Sequence, residues 1–289
     1  MIYKKNQLIH FIIVSTFLIS CKKDNLNLIY YYNKVNEIDS IYRVAKNSDL
    51  AIKEYKELFE KYPPKNQDQI EEYETYIQLS EQHNIDFGGK ESLYKLITLI
   101  APSGRKYKKY LSLFEKYGIN DAEVKSKINS YRNSLEQRLI DSLTIASHRD
   151  AEGGRHNIEI MRKNDYKNLN LFLKIFDEYG YPSEEKVGST GKDGEPLIII
   201  TILSHLICLD YNKIYPKLNE SLHTGDISPR KYALIIDKYY LCQTNKGYYN
   251  IYGGAITLKD SIVINYRRKT IGLSSLKYSK MFYSSSNKK

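Results

Sequence analysis

A chain of 289 residues, 42% hydrophobic and 27% charged, can bury one large core or two smaller ones, and its composition excludes an intrinsically disordered protein. The net charge is +10, or +8 once Lys4 and Lys5 are discounted. The remaining lysines mostly stand beside Glu or Asp at helical spacing, which marks solvated helix faces and speaks against nucleic acid as a partner. Tyrosine dominates the aromatics, 28 against 8 Phe and no Trp, so rings are expected at the edges of helix packing with their hydroxyls wet.

The chain opens with a short basic segment, "MIYKKNQ", followed by the apolar run "LIHFIIVSTFLIS" from Leu8 to Ser20. That run is shorter than the ~20 residues of a transmembrane helix, so residues 1–20 are expected to be a signal peptide. Leu18, Ile19, Ser20 and Cys21 resemble the bacterial lipobox, which implies a diacylglycerol on the Cys21 sulfur and a mature chain that begins there. Several acyl chains at ~0.8 kcal/mol per buried methylene hold a protein firmly to a bilayer without spanning it. The expected membrane partner is reached through that lipid, with residues 21–27 as tether. The following "KKDN" resembles the charged stretch of surface-exported lipoproteins in Bacteroidetes-type bacteria and is too short to fix the face. The expected location is the cell envelope, foremost the outer membrane.

From 28 to 138 apolar residues recur every three or four positions, as in Ile52, Tyr55, Leu58, Phe59 and Tyr62 ahead of Pro63 and Pro64. This predicts a helical array and, with it, a surface for a protein partner. "YKELFEKYP", "YLSLFEKYGI" and "FLKIFDEYGYP" are similar enough to suggest a tetratricopeptide-like repeat, but their unequal spacing leaves open that they are only similar helix ends. The stretch "DAEVKSKINSYRNSLEQRLIDSLTIASH" is expected as one long helix. Residues 139–283 are expected to form an α-rich domain, with helices around "YKNLNLFLKIFDEYG", "EPLIIITILSHLICLDYNKIYPKLNESLHTG" and "SPRKYALIIDKYYLCQT", the last capped by Ser228. Alternation in "GYYNIYGGAITLKDSIVINY" predicts a small β-hairpin from about Gly247 to Tyr266, and the tail "YSKMFYSSSNKK", polar over 284–289, is expected to fray. The predicted fold class is mainly α: a helical array, then an α-rich domain with a C-terminal hairpin.

His205, Asp237 and Tyr252 are the candidate catalytic residues. Histidine with aspartate can run acid-base chemistry, while Arg149, Asp150, Arg267 and Arg268 are candidate binding residues for an anionic group, with His148 nearby. The competing reading joins His205, Asp237 and an arginine into a structural network. No G-x-S-x-G nucleophile motif is present, "GSTGKDGEP" lacks phosphate-loop spacing and no metal-ligand spacing such as C-x-x-C occurs, so neither a cofactor nor a metal is expected. Cys208 and Cys242 lie in apolar surroundings, as two buried thiols or, in an oxidising compartment, as a bridge if their Cα atoms come within ~7 Å.

The landmarks "SHRDAEGGR", Asp165 and Asn168, "YGYPSEEKVG", His205, Asp237 with Lys238, "YGGA" and "INYRRKTIGL" follow one another in a fixed order. That order resembles an uncharacterised bacterial domain family, a domain of unknown function, over about half the chain. Ser204 stands where the family has Gln, Lys238 where it has Arg, and "YGGA" replaces "YGTQ". If those positions form a site in the family, this chain has given up several hydrogen-bonding side chains there, including a planar guanidinium. The reading is therefore a non-catalytic envelope-anchored binding module, with an envelope hydrolase built on His205 and Asp237 as the alternative.

Overall fold

The structure is a computed structural model that describes residues 27–104 and 107–282. The expected signal peptide 1–20, Cys21 with the tether up to 26, and the tail 284–289 lie outside the described residues. Of the described residues, 74% are helical and none forms a strand, so the fold is mainly α. Among them, no helix is long and apolar enough to cross a membrane.

Six helices make the first half: α1 (Leu28–Arg43), α2 (Ser48–Lys61), α3 (Ile70–Gln82), α4 (Gly89–Ile100), α5 (Leu111–Lys116) and α6 (Asp121–Asn133). Their apolar stripes close a core that runs from Tyr31 to Ile128, and α2 buries Ile52, Tyr55, Leu58 and Phe59 as its spacing predicts. The rings pack inside, but their hydroxyls are not simply wet. Tyr31 donates to Glu72 at 2.9 Å, Tyr55 to Asp39 at 2.6 Å, Tyr94 to Glu123 at 2.6 Å and Tyr110 to Glu74 at 2.9 Å, each pair joining two elements. The three similar segments close helices of 14, 6 and 22 residues, so what they share is a helix end rather than a unit of constant length.

The second half holds α7 (Gln137–Ala151), α8 (Ile158–Tyr179), α9 (Glu184–Val187), α10 (Ile199–Leu209), α11 (Tyr211–Thr224), α12 (Pro229–Thr244), α13 (Leu258–Thr270) and α14 (Leu276–Phe282) around a core from Leu139 to Ile271. Caps start these helices where short polar side chains allow: Asn157, Asp210, Ser228 and Thr257 each accept an N–H of the first turn.

Three expectations are corrected. The single helix expected from Asp121 onward is two, because Ser134 turns its hydroxyl back onto the Tyr131 carbonyl at 2.7 Å. The break lets Ile128 face the first core and Leu139 the second. The hairpin is absent: residues 247–257 form an irregular loop, and Leu258–Thr270 is helix α13. A capping box between Thr257 and Asp260 starts that helix. The apolar alternation had suggested strands, whereas the Thr-x-x-Asp signal starts a helix. The tail expected to fray begins as helix, since Leu276–Phe282 is helical.

The halves meet along α1. Asn33 and Asn36 donate to the carbonyls of Lys269 and Gly272, each at 3.0 Å, and Lys231 pairs with Asp68 at 2.8 Å. Gly225 and Gly272 permit the approach. Both have positive φ, and a Cβ would stand 1.9 Å from Leu28 Cδ1 at the first and 2.7 Å from Tyr32 Cβ at the second.

At this junction Glu72 is buried, and desolvation raises its carboxyl to about 8, with the Tyr31 hydroxyl pulling the other way and Asp39 adding to the rise. Since the folded chain keeps this proton while the unfolded chain releases it near 4.5, stability falls as pH rises from about 4.5 to about 8 and levels above. Glu72→Gln has no such proton. Its unfolding free energy, measured in urea beside wild type, is expected to gain steadily from pH 5 to pH 8, by on the order of 3–5 kcal/mol. A difference that does not change with pH would show that Glu72 is not buried as a neutral acid.

Candidate functional site

Helix α10 carries the residues on which a site would be built. Its sequence, "IITILSHLICL", is apolar nearly all round, and successive side chains lie about 100° apart. Ser204 and His205 therefore face different neighbours. His205 looks towards α7 and α8, where its Nδ1 lies 2.8 Å from Asp150 Oδ1 at the end of α7. The same carboxylate oxygen accepts Arg155 Nη1 at 2.8 Å, and the guanidinium goes on to Asp165 on α8 at 3.0 and 2.9 Å.

The turn Glu152–Arg155 between α7 and α8 makes this possible, with Arg155 itself at a φ of +62°. A left-handed arginine costs about 1–2 kcal/mol, which the two ion pairs offset. Asn164 reinforces the corner through the Arg149 carbonyl and Glu152, and Asn168 donates to the Ala146 carbonyl at 3.0 Å. Arg149 thus joins this corner through its backbone carbonyl, and His148 pairs with Asp193 instead, 2.5 Å away on the exposed side.

Asp237 belongs to a different cluster. It is fully buried in α12, and its two oxygens accept the N–H groups of Tyr249 and Ile251, each at 2.6 Å. Burial pushes its carboxyl above the usual range, while the loop amides and the nearby Arg268 pull it back. Arg268, itself 2% exposed, donates to the Tyr249 and Ser274 carbonyls at 2.9 and 2.7 Å and to Ser279 Oγ at 2.6 Å. Arg267 lies over the Tyr248 ring at 4.0 Å. The expected network of His205, Asp237 and an arginine is therefore two networks: His205 pairs with Asp150, and Asp237 with Arg268 folds the 247–257 loop.

Tyr252, half exposed on that loop, bonds the Leu234 carbonyl at 3.1 Å, while the Ser204 hydroxyl donates to the Ile200 carbonyl at 2.7 Å. Leu234, Lys238 and Cys242 on α12 and Ser204 and Cys208 on α10 each step by four residues, so they line one groove between the two helices. Cys242 is exposed and Cys208 partly buried, so of the two readings left open the pair of buried thiols does not hold. A separate cleft of about 730 Å³ between the halves includes Tyr62, Lys65, Glu185 and His223.

Chemically, the first cluster is a histidine held in one orientation by a buried carboxylate. Its Nε2 has no hydrogen-bond partner among the described residues, and the side chain is 23% exposed. In the second cluster each Asp237 oxygen already accepts a backbone amide, and the carboxyl is fully buried. Arg155 and Asp165 were not among the candidates. The usable signal was an arginine placed between two aspartates and just after a Gly-Gly turn.

Asp237→Asn keeps the size of the side chain but sets an NH2 against a backbone donor. The expected result is a loss of about 2–4 kcal/mol in urea unfolding, with protease cleavage appearing within 247–257. Unchanged cleavage there would mean that other contacts hold the loop. No family model, curated protein or solved structure matches this chain.

Proposed function

We propose that this chain is a lipoprotein anchored to the cell envelope through Cys21, whose folded body is a non-catalytic module that binds a protein partner. The observation that carries this reading is the exposed apolar stripe of α13. Leu258, Ile262 and Tyr266, spaced by four, are 81%, 66% and 72% exposed, and Ile256 and Val263, next to them in the chain, are exposed too. Contiguous apolar surface of this kind on a folded protein marks an interaction site. The helical array has exposed apolar residues such as Tyr30, Val44 and Leu50, but they are not arranged in such a run. Exposed Lys246, Lys259 and Lys269 near the stripe favour a partner whose apolar contact is rimmed by acidic side chains.

The resemblance to the uncharacterised domain family forms part of this proposal. Ser204, Lys238 and the loop bearing Tyr252, where this chain departs from the family pattern, all fall on the α10–α12 groove. A ligand held there in relatives would find fewer donors here, which supports a role without catalysis.

The test joins anchor and surface. Intact mass of the native protein is expected to show a lipid on a chain starting at Cys21, and Cys21→Ser to leave the membrane fraction. A photo-crosslinking residue at position 262 is expected to give one discrete protein adduct in intact cells, while the same residue at position 57, on the solvated face of α2, gives none. Equal labelling at both positions would remove the surface from the proposal, and an unlipidated soluble protein would remove the anchor.

The hydrolase reading keeps one observation in its favour, the oriented His205 beside Asp150, with Asp150 in the place first assigned to Asp237. It predicts turnover of a p-nitrophenyl ester or phosphate that His205→Gln lowers at least 100-fold while thermal stability holds. No turnover by wild type, or turnover that survives His205→Gln, excludes this pair as a general base.

A further inference from the structure

We infer that Cys208 and Cys242 are a disulfide-forming pair that staples the end of α10 to the end of α12. The inference goes beyond the binding-module proposal and does not depend on it. Two sites on different helices meet here. Cys208 lies in the last turn of α10, and its Sγ is 3.7 Å from the carbonyl oxygen of Lys238. Lys238 is one turn before Cys242, so both side chains project from the same face of α12. The Lys238 carbonyl points along α12 towards Cys242, so its contact with the Cys208 sulfur sets the two cysteines beside each other. Disulfides need Cα atoms within about 7 Å and side chains that point together, and cysteines set beside each other on two packed helices can meet that requirement.

The two thiols differ in a way that orders the chemistry. Cys242 is exposed, whereas Cys208 is partly buried, and burial together with the neighbouring sulfur pushes its thiol up to about 12. The oxidant is a small disulfide such as oxidised glutathione. The Cys242 thiolate attacks one of its sulfurs, breaks the S–S bond and releases one thiolate, which leaves a mixed disulfide on Cys242. Cys208 then gives up its proton and attacks the Cys242 sulfur, releasing the second thiolate. The protein loses two protons and two electrons, and one oxidant disulfide becomes two thiols.

The bond would close the chain between α10 and α12 and brace the groove beneath Tyr252. A loop of that size, cross-linked without strain, raises Tm by about 5–10 °C.

The experiment uses the full chain with Cys21→Ser, so that only these two thiols remain and the result stands whether or not the lipid anchor does. After incubation with oxidised glutathione, the expected mass is lower by two hydrogens. Non-reduced digestion is expected to give one linked species containing Cys208 and Cys242, and Tm is expected to rise, an increase that dithiothreitol reverses and Cys242→Ser abolishes. A glutathione adduct that persists on Cys242, with Cys208 still open to alkylation after denaturation, overturns the inference. So does a protein whose two thiols both remain free.

Discussion

Carboxylates taken out of water need donors, and in this fold those donors come from other parts of the chain. Glu72 and Asp39 in the first half accept phenol hydroxyls, whereas Asp150 and Asp237 in the second accept an imidazole with a guanidinium and a pair of backbone amides. Leaving such a group unpaired costs several kcal/mol, so each acid fixes the spacing of the elements that satisfy it. The excess of tyrosine over phenylalanine follows from this. A tyrosine fills the space between helices with its ring and ends in a donor that reaches the neighbouring acid, which phenylalanine cannot do.

The same constraint separates residues that look like partners in the sequence. His205 and Asp237 both sit in apolar helices, and each needs a polar neighbour, so pairing them is the economical guess. What decides otherwise is the angle on α10. The face that meets α12 presents Ser204 and Cys208, and His205 is turned about 100° from Ser204, towards the α7–α8 corner. Asp237 is then supplied by a loop whose amides would otherwise be buried without acceptors, and the loop obtains its shape from the acid.

Much of the fold was legible because it rests on local signals. The spacing in α2, the prolines after it and the Ser228-Pro229 start of α12 all act within a few residues. The loop at 247–257 was not legible, since it depends on a distant partner, the Asp237 carboxylate, and the break at Ser134 rests on one serine hydroxyl whose turn back onto the Tyr131 carbonyl the helical spacing around it does not announce. Of the site, the individual polar residues could be picked out, but not their pairing. Arg155 escaped notice because its value lies in joining Asp150 to Asp165, residues of two helices that only the turn between them brings together.

Helix α13 follows from the same loop. Its packed face is short, with Ile264 and Arg268 buried one turn apart, and Arg268 reaches back to the Tyr249 carbonyl that the Asp237-bound loop presents. Ile262 precedes Ile264 by two residues, which is about 200° on a helix, so anchoring Ile264 and Arg268 inward turns Leu258, Ile262 and Tyr266 outward. Burying a large apolar side chain is worth about 1.5–3 kcal/mol, and here three are left in water by a helix that buries Arg268 beside Ile264. An amphipathic helix that served only its own core would be turned the other way. The loop clamp therefore holds α13 against its intrinsic preference, and the free energy not recovered within the chain is available to a partner that covers the stripe.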